Sequence, residues 1–128
     1  MSESLGRGVF FQRIRKQAIR KIIRSENFEF KNSTQISVDR LDWATSVEMA
    51  KIAITNRPDD KPFYGWAVVS AEVASMNGRE VRATPQESNP YHADILLPSN
   101  DEKEMEELMQ HLTELAGSAT WRESPIPV

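Results

Sequence analysis

The run Gly65-Trp-Ala-Val-Val69 constrains this chain more than any other stretch. It carries no charge and no polar alternation. Successive side chains of a strand point to opposite faces, so a strand apolar on both faces has to be covered on both. The spacing therefore predicts a buried central strand over Phe63–Val69, inside a sheet that needs packing partners above and below. A chain of 128 residues can build such a core. One domain of that length hides about two-thirds of the surface its unfolded chain exposes. At 39% hydrophobic and 27% charged residues, the composition belongs to the soluble globular class.

Shorter signals surround this strand. Ile36 and Val38 alternate with Gln35 and Ser37, and Phe28 and Phe30 with Asn27 and Glu29, each at the period of a half-buried strand. Lys31-Asn-Ser-Thr34 between them reads as a hairpin turn. Glu80–Ala83 and Ala93–Leu97 read as two further strands. Val9, Phe10 and Phe11 favour a strand over residues 9–14, followed by a helix or turn from 16 to 24. Thr45-Ser-Val-Glu48 fits a capping box that opens a helix running to about Thr55. Ser70 can cap a short helix over Ala71–Met76, closed by Asn77-Gly78 in the left-handed region. Ser99-Asn-Asp-Glu102 is a second capping box, and Met105, Leu108, Met109, Leu112, Leu115 and Ala116 then form one apolar helix face. Without a strict βαβ repeat, the expected class is α+β, a single compact domain with a mixed sheet of about five strands and about three helices. Residues 1–8 are expected as a flexible lead-in, 9–121 as the domain and 122–128 as an irregular tail.

Absences narrow the function. There is no cysteine, which excludes a disulfide scaffold, a thiolate metal site and a cysteine nucleophile. No apolar run approaches the ~20 residues of a membrane span, and Met1–Gly8 lacks the apolar stretch of a signal peptide, so the expectation is a cytoplasmic protein with no membrane partner. No phosphate-cradling glycine loop is present. No cofactor is implied.

Charge is unevenly spread. Residues 1–24 carry seven basic side chains against Glu3 alone, while the rest carry nine basic and eighteen acidic ones. Such a segment contacts either nucleic acid or acidic protein surface. The acidic remainder would repel a polyanion, which favours pairing with acidic groups of the same molecule or of a partner protein. The candidate contact residues are Arg15, Lys16, Arg20 and Lys21. Asp94 joins them from the segment Asn89-Pro-Tyr-His-Ala-Asp-Ile95.

That segment holds the most pointed chemistry. On a strand His92 and Asp94 share a face. They supply two ligands of a three-ligand metal site, but His111 lies about 240° round its helix from Met105, so no metal centre is expected. A triad of Ser37, His92 and Asp39 or Asp94 lacks a nucleophile elbow and an oxyanion loop. The plainer expectations are that Asn89-Pro90 forms a turn closed by a His92 hydrogen bond, that Asp39 and Arg40 pair at a strand end or an aspartate caps the next helix, and that Trp43 and Trp66 anchor the core.

Phe11-Gln-Arg13, Ile36-Ser-Val-Asp-Arg40, Gly65-Trp-Ala-Val-Val-Ser-Ala71 and Asn89-Pro-Tyr-His-Ala-Asp-Ile95 occur in that order. They resemble a group of short bacterial proteins of uncharacterised function that share the S-V-D-R and N-P-x-H-A-x-I blocks, over about residues 10–121. The resemblance implies a fold and a bacterial origin. A fainter similarity is to ADP-ribosyltransferase-like folds, including RNA 2′-phosphotransferases, through a basic residue on the first strand (Arg13 or Arg15) and a hydroxyl on a later one (Ser37). The late-strand glutamate of those enzymes has no match. The leading expectation is a small protein-interaction or accessory module using the basic segment and the His92 loop. The first alternative is an enzyme on a nucleotide or RNA phosphate, with Arg13, Ser37 and His92 as its catalytic set. The second is nucleic-acid binding through the basic segment.

Overall fold

The structure, a computed structural model, describes residues 2–28, 35–98 and 104–128. Six strands form one sheet: β1 (Ser4–Val9), β2 (Gln35–Arg40), β3 (Gly65–Ser70), β4 (Glu80–Ala83), β5 (His92–Leu96) and β6 (Thr120–Glu123). Their order is β4-β5-β2-β1-β3-β6. The helices are α1 (Gln12–Ile19), α2 (Ser46–Thr55), the single turn α3 (Ala71–Ala74) and α4 (Glu104–Ser118). The class is α+β, as the mixed order of elements implied. The sheet has six strands rather than about five, and every neighbouring pair is antiparallel rather than mixed. Among the described residues no helix is long and apolar enough to cross a membrane.

The two-faced strand is β3, and each face has its own core. Ala67 and Val69 pack with Leu5, Ile36, Ile95, Leu112 and Leu115, beneath α4. Trp66 and Val68 face the other way and pack with Leu41, Met49, Ala50, Ala53 and Phe63, beneath α2. Phe63 and Trp66 meet edge to face with ring centroids 4.9 Å apart. Local chemistry starts the helices where the sequence signals it. The Thr45 hydroxyl accepts the Glu48 amide at 3.2 Å, the Ser70 hydroxyl accepts that of Val73 at 3.1 Å, and Asn77 and Gly78 take positive φ values of 57° and 84°.

Several expectations need correction. The first strand is residues 4–9, not 9–14, so the segment read as a lead-in lies inside the sheet. Leu5 and Val9 are buried, and the glycines between them leave room for close neighbours. Gln12 then begins a helix, which ends at Ile19 because Lys21 takes a left-handed φ of 63°. Only Ile14 and Ala18 of its apolar stripe are buried. Ser25–Phe28 is a 3₁₀ turn instead of a strand, with Phe28 fully buried. The hairpin at 31–34 and the capping box at 99–102 lie outside the described residues. Arg122 and Glu123 belong to β6, so the irregular tail is confined to residues 124–128. Trp66 anchors the core, but Trp43 is 57% exposed. Its indole N–H donates to Glu3 and its ring lies under the Arg40 guanidinium, 4.0 Å from the centroid. Arg40 pairs with Glu3 at 3.1 Å and not with Asp39.

One buried cation fastens α4. The side chain of Arg79 is wholly buried. It donates to the carbonyls of Val73 (2.8 Å) and Ala74 (3.2 Å) at the end of α3, to Glu114 Oε2 (2.7 Å), and to His111 Nδ1 (2.9 Å). Because a guanidinium only donates, His111 accepts at Nδ1 and carries its proton on Nε2. Burial, then the Arg79 charge, lowers the His111 pKa below its ordinary value. The hydrogen bonds from Arg79 and Asn77 lower that of Glu114.

Candidate functional site: a cleft where the sheet opens

The ladder between β1 and β2 has two pairs, Leu5 with Arg40 and Gly6 with Asp39, whereas β1 pairs with β3 along six. Beyond those two pairs the strands part, although both continue. Arg7 Nη1 donates to the Ser37 carbonyl at 2.8 Å, so a side chain satisfies a backbone acceptor that a strand amide would otherwise serve. The opening is a cleft of about 590 Å³, within the usual range for small-molecule sites. Val9, Phe10, Phe11, Ile14 and Ile52 give it an apolar wall, and Arg7, Ser37, Asp39, Asn89 and His92 give it a polar one.

Asp39 organises the polar wall. Gly6 lies beside it, and a Cβ at Gly6 would fall 2.8 Å from Trp66 Cδ1. The missing side chain lets the indole settle over β1. Trp66 Nε1 then donates to Asp39 Oδ2 at 3.2 Å, while Asn89 Nδ2 donates to Oδ1 at 2.8 Å. Residues of the S-V-D-R, G-W-A and N-P-Y-H blocks, far apart in sequence, therefore meet on one carboxylate. Burial raises the Asp39 pKa above the ordinary carboxylate range, and the bonds from Asn89 and Trp66 and the charges of His92 and Arg7 offset this in part. Burial lowers the Arg7 pKa, against the pull of Asp39. Two ionisable groups shifted in opposite senses within one concave surface are a common mark of a functional site.

His92 sits opposite Asp39 in the β2–β5 register, and Asp94 opposite Ser37. Thr84 lies beside His92 just past the β4–β5 ladder, its amide donating to the His92 carbonyl at 3.0 Å. The Thr84 hydroxyl donates its single hydrogen to Asp94 Oδ2 at 2.9 Å. Its contact with His92 Nδ1 at 2.8 Å must then run the other way, with Nδ1–H donating. The Thr84 carbonyl, 3.2 Å from the same nitrogen, agrees. His92 is thus held as the Nδ1–H tautomer, and its lone pair is on Nε2. Asn89 does form the expected turn, closed by the His92 amide donating to the Asn89 carbonyl at 3.3 Å, and the Asn89 side-chain oxygen accepts the Tyr91 amide at 3.0 Å.

The cleft brings together Ser37 and His92 but not Arg13. Arg13 is exposed and paired with Glu26 at 2.8 Å, Glu26 being the residue that reaches the cleft. Arg7 supplies the basic group there instead. Ser37 Oγ points to Asp94 Oδ1, at 3.5 Å, and Asp94 itself is buried. The arrangement is carboxylate–hydroxyl–imidazole rather than the carboxylate–imidazole–hydroxyl order of a serine triad. Arg15 is turned inward to Glu123 at 2.8 Å and to the face of Tyr64, while Lys16, Arg20 and Lys21 are exposed. Arg7 and Thr84 escape a sequence reading for different reasons. Arg7 has a signal, the alternation Leu5-x-Arg7-x-Val9 with glycines between. Thr84 has none, because only the hairpin register places it beside His92.

No protein-family model, curated protein or solved structure matches this chain.

Proposed function

We propose that this domain binds a small, neutral, partly apolar molecule in the cleft between β1 and β2. One observation carries the reading: among the described residues, the charged groups at the cleft already act on one another. Arg7 and Asp39 line it and act on each other, and Glu26 at its edge is neutralised by Arg13. A phosphate or nucleic-acid strand would bring negative charge to a wall that holds Asp39 and Glu26 and has Asp94 behind it. A neutral molecule with a flat apolar portion meets the Val9–Phe11 wall, and its polar edge meets Ser37, Asn89 and His92. The test is a fragment screen by amide chemical-shift mapping, with neutral, anionic and cationic subsets. Neutral fragments should shift the amides of Arg7, Ser37 and His92, and Ser37→Phe, which fills the mouth, should abolish the shifts. Binding confined to anionic fragments, or shifts that survive Ser37→Phe, would refute it.

A second reading rests on the end of α1. Ile19 and Ile22 are 51% and 44% exposed, beside exposed Lys16, Arg20 and Lys21. Apolar and basic groups on one surface suit an acidic protein partner. Reversing the three charges to glutamate should remove any pulldown partner held there. Retention of every partner would end this reading, and steeply salt-dependent RNA or DNA affinity would replace it with nucleic-acid binding.

A further inference from the structure

Of the two histidines, His92 lines the cleft. His111 spends its Nδ1 lone pair on Arg79, on the far side of the molecule's other core. His92 is held the opposite way round, with Nδ1–H directed onto Thr84 and the Thr84 hydroxyl onto Asp94. An imidazole whose outer nitrogen is bonded to a hydroxyl–carboxylate pair is fixed in ring angle and tautomer before any ligand arrives. The ring lines the same cleft as Arg7. Arg7 enters that cleft from the other face of the sheet, its Nη1 resting on the Ser37 carbonyl.

We propose that the cleft hydrolyses a neutral carboxylic ester or amide, with His92 Nε2 as general base and Thr84 and Asp94 as its positioning residues. The proposal rests on the cleft being a neutral-ligand site. Water gives one proton to Nε2 as its oxygen bonds to the carbonyl carbon, and the carbonyl π pair moves onto oxygen. The tetrahedral oxyanion gains a negative charge that the substrate did not have, and Arg7 is the cation that lines the cleft among the described residues. Collapse breaks the bond to the leaving alcohol or amine. The leaving group takes the proton back from the imidazolium, so acid and alcohol or amine are the products and the side chains return to their starting state. Charge selects this chemistry over phosphoester cleavage. A phosphodiester is already anionic in the ground state, where Asp39 and Glu26 oppose it, whereas a neutral acyl group becomes anionic only in the transition state. The charged groups on the His92 face of the sheet are Asp39 across the ladder and Asp94 through Thr84, while Arg7 starts from the α4 face and reaches the cleft through the seam, at the Ser37 carbonyl.

Nitrogen-15 NMR of the full chain at neutral pH tests the arrangement without turnover. His92 should show the Nδ1–H tautomer and His111 the Nε2–H tautomer. A reversed His92 tautomer overturns the relay. Turnover is then read with 4-nitrophenyl acetate, a neutral ester. The wild type should hydrolyse it ~100-fold faster than His92→Gln, the lower end of what a positioned base supplies. His111→Gln should match the wild type. Thr84→Val should lower the rate by roughly tenfold and mix the His92 tautomers, with Thr84→Ser restoring both. A rate equal in wild type and His92→Gln overturns the catalytic role. If neutral fragments still map to the cleft in that case, the binding reading stands alone. If they do not, both fail.

Discussion

Replacing Arg79 with methionine should cost about 3 kcal/mol of folding stability. Methionine keeps an unbranched stem of similar length and removes every donor. The Val73 carbonyl retains the Met76 amide at 3.1 Å, so its loss is one hydrogen bond, about 1 kcal/mol. The Ala74 carbonyl has Arg79 Nε as its hydrogen-bond donor. Left buried and unpaired, it costs about 1–3 kcal/mol. Glu114 is 44% exposed and returns to water, so its ion pair adds little. At roughly 3 °C per kcal/mol for a chain of this size, the melting temperature should fall by about 10 °C. Urea unfolding at 25 °C gives the free energy directly, with an unchanged m-value showing that the same core still unfolds. Lysine at the same position, with one head group for two carbonyls, should fall between the wild type and methionine. A loss below 1 kcal/mol in Arg79→Met, with m unchanged, would show that α4 is held by Leu112, Leu115 and Ala116 alone and that the buried cation is incidental.

The same cluster fixes a pH dependence. The His111 pKa is lowered on folding, so the unfolded chain binds more protons as pH falls through the ordinary histidine value of 6.5. Stability therefore declines from pH 7 toward acid, and Glu114, also lowered, extends the decline below the ordinary glutamate value of 4.5. His111→Gln should flatten the first part in pH-dependent urea titrations; an unchanged slope would contradict it. Gly65→Ala should be more damaging than Gly6→Ala. A Cβ at Gly65 lies 2.3 Å from the Arg122 carbonyl oxygen at φ of +150°, while one at Gly6 meets the Leu41 and Trp66 side chains at 2.7 and 2.8 Å. Side chains can yield where backbone cannot, and thermal melts should show the order. Trp66→Ala should cost about 3–5 kcal/mol and Trp43→Ala about 1 kcal/mol or less; equal losses would mean that Trp43 packs inside.

Much of the scaffold is legible because it rests on short-range chemistry. A hydroxyl three residues before an amide caps a helix wherever it occurs, so Thr45 and Ser70 could be read directly. The apolar run of β3 could be read as a strand covered twice because no other placement dries both faces. The early segment could not. Phe10 and Phe11 have stronger strand preference than Leu5-Gly-Arg-Gly-Val9, yet the glycines form the strand because Trp66 needs the space above Gly6, a demand made from sixty residues away. The site divides in the same way. His92, Asp94 and Ser37 declare themselves by residue type and alternation. Thr84 and the link from Trp66 to Asp39 depend on register and leave no local trace, and Arg7 shows only its alternation with Leu5 and Val9.

That early stop has a consequence for how the molecule is assembled. It divides the sheet into two three-stranded panels, β4-β5-β2 and β1-β3-β6, joined by two residue pairs. The chain does not finish one panel before starting the other. It passes from panel to panel four times between β1 and β6. Neither panel is a continuous stretch of polypeptide, so neither can form in isolation during synthesis or refolding. What the seam lacks in backbone pairing it recovers from these crossings, which stitch the panels together like lacing across a gap. The mouth can therefore keep a fixed width while remaining unzipped.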